Sequence, residues 1–246
     1  MEIKNKVVLI TGASQGIGKS TAINLSKQGA SIIINFNSKE SLANKVLEEC
    51  NKHSQKNMAV KADITNENEV KEMFEKITKK YSKLDILVNN AGIFDESDNP
   101  TNLNAFENIF SVNFLAQVRV TKYALEIMKT GKIINVSSVH GKMGHGRPEA
   151  IAYSAMKAAF DSYTKNLAKD LAPNIIVNGI APGKTLTHMW GELKEKEEKK
   201  LASTKLINRF ILPEEIAEGI IFLIENDAVC GEILTIDGGM SLKTFD

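Results

Sequence analysis

Seven short runs of apolar, largely β-branched residues punctuate the chain, at 6–10, 31–36, 58–62, 84–88, 132–136, 175–180 and 232–236. A strand with one wet face alternates apolar and polar positions, whereas an unbroken apolar run fits a strand buried on both faces. Between the runs lie longer stretches, at 18–28, 41–51, 67–80, 103–129, 152–170 and 213–225, each long enough for a helix. Strict alternation of the two predicts an α/β fold: a doubly wound, seven-stranded parallel sheet with helices on both faces and right-handed crossovers. Ligands of such sheets bind beyond the carboxyl ends of the strands, where the strand order reverses. The residues that follow each run are therefore where chemistry is expected.

Composition narrows the function classes. A chain of 246 residues suits one sizeable domain, here 1–246, and is short for two. Its net charge of +1 offers no field to attract nucleic acid or an anionic membrane. Arginine occurs only at 119, 147 and 209, and no apolar run approaches a membrane span. The amino terminus runs straight into a strand, without signal-peptide architecture. Cys50 and Cys230 lie far apart and lack metal-ligand spacing. These features point to a cytoplasmic protein with neither disulfide nor metal.

The first run opens into Thr11-Gly12-Ala13-Ser14-Gln15-Gly16-Ile17-Gly18 and then directly into a helix. Glycines permit a tight turn and close backbone approach, and the helix start offers free N–H groups to a pyrophosphate. The pattern predicts dinucleotide binding. The residue ending the second run reports on the ribose, where a carboxylate would repel a 2′-phosphate. Asn37, Ser38 and Lys39 stand there, with no acid before Glu40, which leans toward NADP; Gln15, in place of a basic residue, leans the other way and leaves NAD open. After the third run, Asp63 and Ile64 are placed to meet an adenine, although Asp63, Thr65 or Asn66 could equally cap the next helix.

Tyr153 and Lys157 are four residues apart in an Ala-rich segment free of Pro and Gly, hence on one face of a helix. An ammonium beside a phenol favours the phenolate, which suits the tyrosine to move a proton near neutral pH.

Taken in order, Thr11-Gly12-x-x-x-Gly16-x-Gly18, Asn89-Asn90-Ala91-Gly92, Asn113, Ser138, Tyr153-x-x-x-Lys157 and Pro182-Gly183 resemble the short-chain dehydrogenases/reductases. The match runs end to end and implies a Rossmann-type fold. It implies that Tyr153 is the general acid in reduction and Lys157 its partner and a ribose ligand. Ser138 would donate to the substrate oxygen, with Ser137 as its competitor, and Asn113 would hold a water that relays protons to Lys157. Gly12, Ser14, Gln15, Gly16, Ile17, Gly18, Asn37, Ser38, Asp63 and Ile64 would contact the cofactor. So would Asn90, Ala91, Gly92, Pro182 and Gly183, with Thr187 or Thr185 on the nicotinamide amide.

Within the family, the overall length and the segments 181–183 and 236–240 look most like 3-oxoacyl-[acyl-carrier-protein] reductases, implying NADPH-driven reduction of a 3-oxoacyl thioester. Lys129 and Lys169 lie near where that subgroup meets its acidic carrier, but the acidic stretch 93–102 at the entrance would not attract one. The alternatives are an NAD-linked dehydrogenase of a sugar, steroid or other small alcohol, and a non-catalytic dinucleotide-binding regulator. The regulator is disfavoured because Tyr153 and Lys157 are both present. Substrate choice is assigned to the loops 93–102, 140–152 and 184–212. His140 and His145 read as loop residues, and His145-Gly146-Arg147-Pro148 as a shaper of specificity. His53 and His188 have no partners at ligand spacing. The segment 184–212 is expected to be a lid, with a charged, solvated helix at 192–200. Apolar surface on 103–129 and 152–170 beyond what one sheet needs implies, with the family, a homotetramer.

Overall fold

The structure, a computed structural model, describes residues 1–54, 56–142, 148–190 and 195–242. His145, Gly146 and Arg147 of the specificity loop, and 192–194 of the lid, lie outside the described residues.

Seven parallel strands form one sheet: β1 Val7–Ile10, β2 Ser31–Phe36, β3 Met58–Lys61, β4 Ile86–Asn89, β5 Gly131–Val136, β6 Ile175–Pro182 and β7 Ile233–Ile236. Their order is β3-β2-β1-β4-β5-β6-β7, so β1 pairs with β2 on one side and β4 on the other and marks the reversal point. Side chains of a strand alternate between faces, and β1 feeds two cores. Val8 and Ile10 join one with helices α1 (Gly16–Lys27), α2 (Glu40–Asn51) and α8 (Pro213–Glu225). Val7 and Leu9 join the other with α3 (Glu67–Tyr81), α5 (Ala116–Ile127) and α6 (Ile151–Leu171). Burial on both faces is why the runs carry no polar alternation. No described helix is long and apolar enough to cross a membrane.

The segment 103–129 departs from the single helix expected of it. It comprises α4 (Leu103–Phe110), a π-helical turn at Ser111–Leu115 and α5. The wider turn frees the Val112 carbonyl, which accepts a hydrogen bond from Gln117 Nε2 at 3.3 Å. The same amide donates to Ala91 O at 2.7 Å and so joins the helix to the end of β4. Such turns are frequent at functional sites, and Asn113 lies inside this one. The segment 192–200 contributes α7 (Glu195–Ala202), which has no buried residue.

A buried polar seam crosses the sheet near its carboxyl edge. Asn89 Nδ2 donates to Thr121 Oγ1 at 3.0 Å and to Asn135 Oδ1 at 2.9 Å, and Asn135 Nδ2 donates to Thr164 Oγ1 at 2.8 Å. It ties β4 and β5 to α5 and α6, fixing the ends of the two central strands against the helix that follows Asn113 and the helix that carries Tyr153.

Where β5 begins, Gly131 has φ +155°, and a Cβ there would lie 2.1 Å from Asp85 O, a backbone atom that cannot swing aside. Gly131→Ala is therefore expected to destabilise the fold by about 2–3 kcal/mol, read as a lower urea midpoint at unchanged m-value. An unchanged midpoint would mean that the β4–β5 edge is not packed as described.

Candidate active site

A cleft of about 910 Å³ opens at the carboxyl ends of the strands. Its floor is the turn after β1. Thr11 Oγ1 accepts the N–H groups of Asn90 at 2.9 Å and Ala91 at 3.0 Å. Asn90 Nδ2 donates back to Thr11 O at 2.8 Å and Gly12 O at 3.2 Å. Gly12 has φ +63°, and a Cβ there would come within 2.9 Å of Ala91 Cα, so the two turns touch backbone to backbone. Asn35, buried at the end of β2, accepts Gly12 N–H through Oδ1 at 3.4 Å and donates to Ala62 O at 3.0 Å. Sequence reasoning passed over it, although a polar residue inside an apolar run was a visible signal. Gln15 caps α1 without a side-chain hydrogen bond, and Ser14, Gln15, Gly16 and Ile17 line the cleft. A tight backbone cradle ending in a side-chain-uncapped helix start fits the pyrophosphate of a dinucleotide.

At the ends of β2 and β3, Asn37, Ser38, Asp63 and Ile64 also line the cleft. Asp63 Oδ1 accepts from Thr65 N–H at 2.8 Å and Thr65 Oγ1 at 2.7 Å, while Asn66 caps α3 by accepting from Asn68 and Glu69. Lys39 Nζ donates to Gln15 Oε1 at 3.0 Å, and Gln15 Nε2 in turn meets His188 Nε2. His188, which has no partner legible in its sequence spacing, thus closes a three-residue bridge across the cleft. Burial lowers its pKa, and the Lys39 charge adds to that.

The residues expected to handle protons gather at the ends of β4 and β5. Lys157, 4% exposed, donates to Val136 O at 2.8 Å, and its Nζ lies 5.7 Å from the centre of the Tyr153 ring. Burial lowers the Lys157 pKa to about 8, against an opposing pull from Asp161. Phe94 meets the Tyr153 ring edge-on at 5.7 Å and His140 does so at 6.4 Å. Ser137 and Ser138 both line the cleft; Ser138 Oγ accepts His140 N–H at 3.2 Å, whereas Ser137 Oγ donates to Lys157 O at 3.4 Å. Gly92 keeps the approach open: a Cβ there would stand 3.2 Å from Asn113 Oδ1 and 3.9 Å from Lys157 Nζ.

Two expected site residues lie behind the cleft rather than in its wall. Gly18 packs α1 against the floor, since a Cβ there would sit 2.5 Å from Asn90 Nδ2. Asn113 is fully buried, and its side chain is committed to the Ile93 backbone, accepting Ile93 N–H at 2.8 Å and donating to Ile93 O at 2.9 Å. The π turn sets this aim.

Pro182, Gly183, Thr185 and Thr187 close the far wall. Thr185 Oγ1 donates to Gly183 O at 3.0 Å, and Trp190 Nε1 donates to Thr185 O at 2.8 Å. Thr187 packs on the glycine turn, its Cγ2 3.4 Å from where a Gly16 Cβ would lie. The acidic stretch 93–102 is not uniformly at the entrance. Glu96 lines the cleft, Asp95 bonds Ser97, and Asp98 turns inward to accept the Ala152 and Tyr153 amides. Among the described residues, no three His, Cys, Asp or Glu side chains could hold a metal.

Residues 6–198 match the family model described as short chain dehydrogenase. The 3-oxoacyl-[acyl-carrier-protein] reductase of Thermotoga maritima is 37% identical, covering 98% of this chain and 99% of its own. A hydroxynaphthalene reductase-like protein of Metarhizium guizhouense is 34% identical over 96% of this chain and 95% of its own. A short chain dehydrogenase of Burkholderia cenocepacia, solved in complex with NADP, superposes with a TM-score of 0.90 at 28% identity, covering 98% of this chain and all of that one.

A lysine whose folded pKa is about 8, against 10.5 in the unfolded chain, binds fewer protons folded than unfolded between those values. Stability of the cofactor-free protein should therefore gain from Lys157 as pH rises through that window. The thermal midpoint of wild type relative to Lys157→Met is expected to climb from pH 8 to pH 10. A flat difference would mean that Lys157 is not desolvated.

Proposed function

The chain belongs to the short-chain dehydrogenase/reductase family, and on that premise we propose that it reduces a ketone to a secondary alcohol with NADPH, Tyr153 donating the proton. It is an NAD(P)-dependent oxidoreductase. The single observation that carries the proposed roles is the junction at the end of β5: Ser138, Tyr153 and buried Lys157 meet where the glycine cradle ends.

When bound, the nicotinamide dinucleotide supplies the hydride. The protein's own residues do the rest. Ser138 Oγ donates to the carbonyl oxygen as negative charge develops on it. Tyr153 Oη gives that oxygen its proton. The Lys157 ammonium holds the phenolate that remains and binds the ribose. Thr187, packed on the glycine turn, takes the nicotinamide amide, with Thr185 as its competitor. With the Asn113 side chain closed on Ile93, a water serving Lys157 is held by the Asn113 backbone carbonyl.

NADP is preferred over NAD on electrostatic grounds. No carboxylate ends β2, and Lys39, bonded to Gln15, brings to the glycine turn the cation that the turn itself lacks. A 3-oxoacyl thioester is the first substrate class, supported by two curated 3-oxoacyl-[acyl-carrier-protein] reductases at 36–37% identity. A ring-bearing ketone is the second, favoured by Phe94 and His140 edge-on to Tyr153 and by Trp190 in the same wall, with Glu96 and Glu149 set against an acidic carrier. Exposed Leu103, Phe110 and Leu115 on α4 and the adjoining turn support self-association into a homotetramer, in a cytoplasmic setting.

NADPH oxidation followed with acetoacetyl-coenzyme A and with a bicyclic aryl ketone decides between the substrate classes by kcat/KM. Turnover of neither, with NADPH bound, would overturn the reductase assignment. Lys39→Glu is expected to lower kcat/KM for NADPH about tenfold, the weight of one charge-assisted contact. The NADH value should change by less than about threefold. Equal losses with both cofactors would remove Lys39 from the 2′-phosphate site.

A further inference from the structure

Helix α6 begins without a cap of its own. Its N-cap residue is Ala150, which has no side-chain acceptor, and Tyr153 is only the third residue of the helix. The amides of the first turn have no partners within a helix and need acceptors. Asp98 supplies them from more than fifty residues upstream: Oδ1 accepts Ala152 N–H at 3.0 Å and Oδ2 accepts Tyr153 N–H at 3.0 Å. A carboxylate at a helix start also meets the positive end of the dipole. Asp98 is 2% exposed, and among the described residues no cation pairs with it. Among the described residues, its burial is thus balanced by peptide N–H groups and not by a cation.

Asp98 is itself anchored. Its N–H donates to Asp95 O at 3.1 Å, in a turn that Asp95 Oδ1 tightens by accepting Ser97 N–H at 2.9 Å. That turn follows Ile93, which Asn113 clamps, and Phe94, whose ring lies against Tyr153. The wall of the cleft and the first turn of α6 are therefore joined through one side chain. We propose that Asp98 is a positioning residue for the reaction: by holding the Ala152 and Tyr153 amides it fixes the aim of the Tyr153 hydroxyl. The inference rests on the proton-donor role given to Tyr153.

Asp98→Asn separates positioning from folding. Asparagine is a good helix cap, but it offers one oxygen where two amides need one each, and its NH2 group would face the second amide. The variant is expected to fold and to bind NADPH within about twofold of wild type, with ketone KM similarly unchanged, while kcat falls about 10- to 100-fold, the scale of a displaced reacting group. A merely structural role would lower the thermal midpoint and leave kcat alone. A kcat within twofold of wild type overturns the inference. So does loss of NADPH binding, which would make Asp98 a requirement of folding. Tyr153→Phe is assayed beside it. If that variant is inactive while Asp98→Asn is undiminished, only the positioning role fails. If Tyr153→Phe keeps its turnover, the proton-donor reading fails and the inference with it.

Discussion

Burial of one ammonium organises this molecule's working end. Lys157 is buried on α6, and its ammonium donates to the carbonyl of Val136, the last residue of β5. A cation in that position is unfavourable unless something negative forms beside it. The Tyr153 phenol is the ionisable group of the same helix face, and its ring is within 6 Å of the ammonium. We propose that the phenolate left when Tyr153 gives up its proton supplies that negative charge. Asp161, one turn further along, supplies it only in part, since burial raises its own pKa.

For that charge to do chemistry, the phenol must face a nicotinamide ring, and the floor of the cleft ensures a common frame. Thr11, Asn90 and Gly12 knit the turns after β1 and β4 into one hydrogen-bonded unit at the reversal point of the sheet. Gly92, in the second of those turns, leaves open the space over Asn113 and Lys157. The asparagine–threonine seam beneath ties β4 and β5 to α5 and α6, so the glycine turns and Tyr153 are built on one hydrogen-bonded layer. The Lys39–Gln15–His188 bridge adds a contact from the wall after β6.

The sheet was legible because its inner strands are buried on both faces, and the Tyr153–Lys157 pair because helical spacing is arithmetic. Other features left no such trace. A π turn adds a residue to a helical turn without changing the apolar pattern, so 103–129 reads as one helix and the aim of Asn113 is hidden. Asp98 sits among Asp95 and Glu96, where an acid reads as solvated, and only the fold brings it to a helix start far along the chain. His188 has no sequence neighbour to pair with, because its partner lies 173 residues away. The choice between Ser137 and Ser138 rested on extended geometry and family pattern. In the structure both serines line the cleft, the Ser137 hydroxyl donating to the α6 backbone and the Ser138 hydroxyl accepting His140 N–H.

The central claim is that the Lys157 ammonium makes the Tyr153 phenol acidic. The chain has four tyrosines, and burial raises the pKa of Tyr81, Tyr123 and Tyr163, that of Tyr81 to about 12. Carbon-13 NMR of protein labelled at the tyrosine ζ carbon, titrated with NADP+ bound, should show one resonance titrating below the ordinary phenol range. That resonance should be absent in Tyr153→Phe and shifted to higher pH in Lys157→Met. If all four resonances titrate at or above the ordinary range in the wild-type protein, the account is contradicted.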